Sequence, residues 1–448
     1  MGEWQRARIG DLCQIIKGET GLASSPPGEY PLVATGADRR SCTTWQFDTD
    51  AVCIPLVSST GHGKKTLNYV HYQSGKFALG TILAAVIPKD PSVLTARFLH
   101  LYLSHFKDTV LVPLMKGAAN VSLPMKEIAS VEIPVPPLEE QQNLIDLIFR
   151  IEDEHGELLS ETNRQGDLIK QLRQAVLREA VEGKQTAEWR KLNPVIMGNP
   201  QYDAAALLAQ IKAEKERLVK EGKLRKEKPL PPIADADKPF DLPDGWVWCR
   251  LSSCFDVRDG THDTPAYVSE GFPLITSKNL VGGRIDFFSC KYISKRDHDE
   301  ISKRSAVSPN DILFAMIGSI GNPAIVGYSD GVFSVKNVAL FKYHLKEFAV
   351  PQYLLYLLQV FQYALQAAAK GALQPFVSLG DLRSYVIPLP PPSEQQAIVA
   401  RVDSLMAVID DLEKQVIERK EQAQLLMQTV LREAFDLDSA VQQSVLND

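Results

Sequence analysis

Cysteine is sparse and unclustered in this chain: the six residues (Cys13, Cys42, Cys53, Cys249, Cys254 and Cys290) form no C-x-x-C pair. Neither a disulfide framework nor a zinc site is indicated, and no bound metal is expected. Long apolar runs are missing too. No stretch approaches the roughly 18 residues of a membrane span, and the opening MGEWQRARIGDL has no apolar signal-peptide core. A cytoplasmic location and no membrane partner are expected. An excess of positive charge is also lacking, because 49 Lys+Arg against 55 Asp+Glu leave −6, which on its face argues against a simple basic nucleic-acid binder. What is present is ordinary globular material. A hydrophobic content of 45% with 23% charged residues excludes wholesale disorder, and 448 residues leave room for two or three domains.

The chain is written twice. At a constant offset of 242, Trp4 matches Trp246, Arg8 matches Arg250, Gly18 matches Gly260, and Pro31-Leu32 matches Pro273-Leu274. From Lys116-Gly117-Ala118 the offset settles at 254, against Lys370-Gly371-Ala372. Pro134 to Gln142 (PVPPLEEQQ) then aligns with Pro388 to Gln396 (PLPPPSEQQ), and Val176 to Ala180 (VLREA) recurs as Val430 to Ala434. Such ungapped spacing implies a rigid element. Proline cannot continue a helix but suits its first turn, so each I-P-x-P-P segment ends a strand and launches a helix.

The second helix carries Ile398, Val402, Leu405, Ile409, Leu412, Val416, Arg419, Ala423, Leu426 and Val430 at alternating spacings of four and three, a coiled-coil seam. The first has Ile148, Ile151, Leu158, Ile169, Leu172 and Val176 at the corresponding positions, with a more polar middle at His155, Thr162 and Gln165. Each helix should be roughly 65 Å long, too long to bury its stripe inside one small domain, so the two are expected to pack on each other. An antiparallel pair, with a globular unit at each end of the rod and an approximate two-fold axis between them, needs no long return connection. The expected organisation is therefore α+β. Mixed α/β units at 1–133 and 246–387 alternate with long helices at 134–182 and 388–435, a linker with a short helix (Asp203 to Glu221) fills 183–245, and a tail follows at 436–448. Each globular unit should hold one helix, Thr95 to Phe106 and Pro351 to Ala369.

This order of variable unit, P-x-P-P-x-x-E-Q-Q and long helix, repeated, resembles the specificity subunit of type I restriction-modification systems. Asp259-Gly260-Thr261-His262-Asp263-Thr264-Pro265 and the linker run Lys226 to Pro232 add to the resemblance, which covers essentially the whole chain. It implies two target-recognition domains, each reading half of an asymmetric bipartite sequence in double-stranded DNA, with the paired helices as a ruler. It also implies no catalysis by the chain itself. The implied partners are two methyltransferase subunits carrying S-adenosylmethionine and two restriction subunits using ATP and magnesium. Two competing readings predict different things. A self-contained restriction-methylation enzyme would transfer methyl groups without partners, and a coiled-coil adaptor would leave no footprint on DNA.

Split along the repeat, the charge changes meaning. Residues 1–133 and 246–387 are each +2, whereas 134–245 is −4 and 388–448 is −6, so mildly basic readers sit on an acidic framework. Bidentate base contacts in the major groove need Arg, Lys, Asn or Gln on loops. The candidates are Arg39, Arg40, Lys64 and Lys65 in the first unit and Arg258, Lys278, Asn279 and Arg284 in the second, with His262 and the repeat-related pair Lys116 and Lys370. Three motif-like segments point elsewhere. Ser58 to Lys65 lacks the first glycine and the Ser/Thr of a phosphate loop, Asn199-Pro200-Gln201-Tyr202 reads as a linker turn, and Gly318 to Gly321 reads as a buried strand and turn.

Overall fold

The computed structural model describes residues 4–435 except 23–24, 61–62 and 371–374. The expected tail at 436–448, and Gly61, His62, Gly371 and Ala372 of the motifs above, lie outside the described residues. The chain divides into two units, residues 1–163 with 417 onward, and residues 164–416.

In both units the I-P-x-P-P segment does what proline chemistry dictates. Glu132–Val135 pairs antiparallel with Gln5–Arg8, and Val386–Leu389 with Val247–Arg250. Two-stranded ladders tolerate Pro134 and Pro388 because each strand keeps a free edge. The long helices Leu138–Val181 and Pro392–Ala434 follow. Their first turns are closed by proline carbonyls, Pro137 O accepting from Gln141 N at 2.9 Å and Pro391 O from Gln395 N at 3.0 Å.

Each unit holds two four-stranded sheets, one of which has the same connectivity in both units. In the first unit the order is Cys13–Lys17, Leu83–Pro88, Ala51–Pro55, His71–Gln73, and in the second Phe255–Asp259, Val338–Tyr343, Ile312–Ala315, Gly321–Ile325, all antiparallel. The other sheet of each unit contains one parallel pair, Tyr30–Val33 with Lys76–Leu79 and Phe272–Ile275 with Ser334–Val335. The expected helices appear at Ala96–Val110, Pro351–Ala367 and Ala204–Lys220. Thr95 caps the first of these by accepting from Phe98 N, and Asp203 caps the third through Ala205 N. A helix at Lys295–Ser305, capped by Ser294, has no counterpart in the sequence reading.

The long helices run antiparallel within each unit. In the first, Lys420 Nζ reaches Asn163 at 3.0 Å, while Val430, Leu431 and Ala434 share a core with Ile145 and Ile148. Phe435 closes that core, its ring 5.9, 5.5 and 5.2 Å from those of Phe98, Tyr102 and Phe106. In the second unit Arg173 pairs with Asp410 at 2.7 Å and Glu413 at 2.8 Å, and Ile169 and Val176 join Ile398, Val402 and Ile409 in one core.

The expected seam needs a correction. Ile148, Ile169, Val176, Ile398, Val402 and Ile409 are buried, and Ile151, Leu405, Val416 and Val430 half-buried. Leu158, Leu172, Leu412 and Leu426 are instead 44%, 44%, 41% and 62% exposed. The less exposed residues at those turns are the ones immediately after, Leu159, Arg173, Glu413 and Met427. At these four turns the seam is thus displaced by one residue, about 100° of rotation. The leucines at these turns drew the sequence reading toward the more apolar side. The helices instead turn Arg173 and Glu413 toward each other, and the aliphatic stem of an arginine covers apolar surface while its head stays wet.

Candidate nucleic-acid interface

The base of each long helix is a site built twice from far-separated residues. Trp4 Nε1 donates to Glu140 Oε2 at 2.7 Å, and Trp246 Nε1 donates to Glu394 Oε2 at 2.6 Å. The adjacent glutamine folds back in each case, Gln141 Nε2 donating to Pro136 O at 2.9 Å and Gln395 Nε2 to Pro390 O at 2.8 Å. The two Trp–Glu bonds fasten the first strand of each unit to the start of its long helix, and the two Gln–Pro bonds fold that start back on the P-x-P-P segment before it.

Around the loops that follow the central strands the correspondence continues. Ser58 N donates to Val121 O at 3.0 Å and Gly318 N to Pro375 O at 2.9 Å, which seats the loop after the central strand beside the turn that begins at Lys116 or Lys370. Gly63 has a φ of +74°, and a Cβ there would stand 2.3 Å from Ala118 O. Only glycine fits so close an approach, and it brings the loop bearing exposed Lys64 and Lys65 next to Lys116. Hydroxyls close this loop, Ser58 Oγ donating to Lys64 O at 2.6 Å and Thr60 bonding Thr66 at 2.8 Å. Lys116 pairs with Glu127 at 2.8 Å and Lys370 with Asp381 at 3.3 Å, both lysines remaining largely exposed.

In the second unit a cleft of about 530 Å³ opens between the loops Thr276–Asn279, Ile317–Ser319 and Lys336–Asn337. Lys278, Lys291 and Lys336 line it, and among the described residues no carboxylate does. Among the described residues Lys278 and Lys291 meet no acid, and Lys336 donates to Thr264 Oγ1. His262 stands beside it, Nδ1 3.1 Å from Asn337 Oδ1 and Nε2 2.9 Å from Asp259 Oδ2. Asp259 also takes Arg304. The Asp259 to Pro265 segment is thereby tied to the loop Lys336–Asn337.

Three expected base readers are committed elsewhere. Asn279 is buried, its Oδ1 accepting from Thr276 N at 3.0 Å and its Nδ2 donating to Asp286 O at 3.1 Å, so it shapes the cleft loop instead of reaching out of it. Arg39 is spent on Gln73 (2.9 Å), His71 Nδ1 (3.1 Å) and Tyr72 O (3.1 Å), stapling its loop to the strand His71–Gln73. Arg258 is held by Asp256 at 2.6 Å. Arg40 and Arg284 are exposed, Arg284 on a hairpin turned by Gly282 and Gly283. Lys291 and Lys336 were not anticipated. Register gives the signal for Lys291: Leu32 pairs with Arg40 and its repeat partner Leu274 with Lys291, so the two cations occupy one position of the repeat. The Asn199 turn is as expected, Asn199 Oδ1 accepting from Gln201 N at 3.0 Å. Among the described residues no cluster of His, Cys, Asp and Glu could hold a metal ion, and no helix is long and apolar enough to cross a membrane.

Comparison with known proteins bears on what these paired loops are for. The model of the type I restriction modification DNA specificity domain matches residues 1–165 and again 243–422. The chain belongs to this family. Among curated specificity subunits it is 31% identical to that of the type I restriction enzyme EcoAI from Escherichia coli over 315 residues, 68% of this chain and 51% of that one. With the EcoDI subunit of the same species it shares 23% over 454 residues, 97% and 88% of the two chains. The chain thus spans about half the length of the EcoAI subunit it matches. The HsdS subunit from Thermoanaerobacter tengcongensis has the same fold, with a TM-score of 0.56 at 17% identity over 97% of each chain. So does a chain from a structure of type I R-M complex assembly and conformational transition, with a TM-score of 0.60 at 16% identity over 97% and 98%. The α+β class with two recognition domains and long antiparallel helices is the fold of specificity subunits.

Proposed function

We propose that this chain is the DNA-recognition subunit of a type I restriction-modification complex, each unit reading one half of an asymmetric two-part sequence in duplex DNA. The carrying observation is the unit built twice: one sheet connectivity and one Trp-Glu, Gln-Pro helix base, with different side chains on the loops. Two copies of one scaffold suit two half-sites, and different loops require the half-sites to differ. The paired helices set the spacing between halves and dock two methyltransferase subunits. The chain performs no chemistry itself. S-adenosylmethionine belongs to the methyltransferase subunits, and ATP with magnesium to two restriction subunits. Because each reader carries a charge of only +2, partners supply much of the phosphate contact, and the chain alone binds DNA weakly.

The test is to incubate the purified chain with labelled S-adenosylmethionine and DNA, with and without its methyltransferase subunits. Methyl transfer and a two-part footprint are expected only in the mixture. Transfer by the chain alone contradicts the proposal, as does a mixture that leaves no footprint.

A further inference from the structure

Single exposed apolar residues are ordinary on protein surfaces, but Phe288 combines three features that are not. First, its side chain is wholly exposed, 101% against an extended reference, while its neighbour Phe287 packs on Phe333 with ring centroids 5.3 Å apart. Second, the turn that presents it is fixed. Asp286 Oδ1 accepts from Phe288 N at 2.8 Å, Asp286 Oδ2 accepts from Ser289 Oγ at 2.6 Å, Asp286 N donates to Asn279 O at 2.7 Å, and Asn279 Nδ2 donates to Asp286 O at 3.1 Å. This network holds the backbone from which the ring projects. Third, the next residue, Ser289, lines the cleft of Lys278, Lys291 and Lys336. A cleft lined by three ammonium groups and, among the described residues, by no carboxylate is complementary to a phosphate backbone, and an apolar ring presented at its edge then faces the base stack.

Resting on the DNA-reading role proposed above, we propose that Phe288 is a wedge that enters between stacked base pairs of the half-site read by residues 164–416. Apolar side chains used this way unstack one step and bend the duplex, and the bend admits further contacts. Among the described residues of the other unit no aromatic side chain is so fully exposed. Since Arg40 occupies the register position of Lys291, the residue corresponding to Phe288 is Ala37. Distortion is therefore confined to one half of the target, and the other half serves as an internal control.

The test uses the chain assembled with its methyltransferase subunits on a duplex carrying the methylated two-part motif. 2-Aminopurine is placed in turn at steps of each half other than the methylated adenine. Its fluorescence should rise several-fold at one step of the half read by residues 164–416 and at none in the other half. Phe288→Ala should abolish that rise and weaken binding about tenfold, while Phe288→Leu keeps part of both. Because the side chain meets no protein core, the thermal midpoint of each variant should equal that of the wild type. An unchanged rise and affinity in Phe288→Ala overturns the wedge. So does a variant that loses its methyltransferase subunits yet leaves the DNA signal of the remaining complex intact, which would mark a protein contact instead. Failure of the wild-type complex to bind any duplex would overturn the DNA-reading proposal itself.

Discussion

The indole of Trp246 and the carboxylate of Glu394 lie 148 residues apart and meet at 2.6 Å in a buried site. Glu394 is 1% exposed and is further held by Thr186 Oγ1 at 2.7 Å and Arg190 at 2.5 Å. A buried carboxylate is tolerable only when its lone pairs are filled by donors. Trp246→Phe keeps the ring and deletes one donor, so it should cost about 1–3 kcal/mol. Trp4→Phe, acting on solvent-exposed Glu140, should cost less than about 1 kcal/mol. Chemical denaturation of the two variants checks the order, and equal losses would contradict it.

The displaced helix seam gives a second expectation. Ile409 is 3% exposed and Leu412 is 41% exposed. Ile409→Ala should cost about 2–4 kcal/mol, and Leu412→Ala less than about 1 kcal/mol. A seam in the register read from the leucines would make the two comparable, and denaturant midpoints distinguish these cases.

His71 gives a pH dependence. Burial, and then the Arg39 guanidinium that donates into Nδ1, push its pKa down to about 4 from 6.5. Above pH 6.5 the ring is neutral in folded and unfolded chains alike. As pH falls from 6.5 toward 4 the unfolded chain takes up a proton that the folded chain refuses, so stability declines, by at most about 3 kcal/mol, and levels off below 4. His71→Asn retains an acceptor for Arg39. It should therefore flatten the decline in urea midpoint between pH 7 and pH 4.5, and an unchanged slope would assign the decline to other groups.

The cleft lysines and the buried amide beside them separate binding from folding. Lys278→Ala and Lys336→Ala should weaken DNA binding by the assembled complex across sequences and lower its salt dependence by about one unit of slope each, with folding unaffected. Asn279→Ala should lower the thermal midpoint, because it leaves Thr276 N and Asp286 O without their partner. Fluorescence anisotropy over a salt series, paired with thermal melts, reads both.

The repeat and the P-x-P-P-x-x-E-Q-Q segments were legible because they are local and nearly ungapped, and they led to the long helices and the fold class. The use of Glu394 was not legible, since Trp246, Thr186 and Arg190 reach it from 148 to 208 residues away. The same limit misplaced three candidate readers. Arg39 finds His71 across 32 residues, Asn279 is drawn inward by the Asp286 turn, and Arg258 by Asp256, and no composition rule separates such committed side chains from free ones. The helix seam was readable in period and not in phase, because exposed leucines outweighed Arg173 and Glu413 in an apolar count. Lys291 was within reach through repeat register alone, once Leu32 and Leu274 were matched.

That each unit reads half of a two-part target is tested most directly by sequencing N6-methyladenine across the host genome with and without the gene for this chain. An asymmetric two-part motif with a fixed unspecified gap should be methylated when the gene is present and unmethylated when it is deleted. Lengthening both long helices by one heptad should change the gap while keeping both half-motifs. A motif that persists after deletion, or one that is continuous and unsplit, would contradict the account.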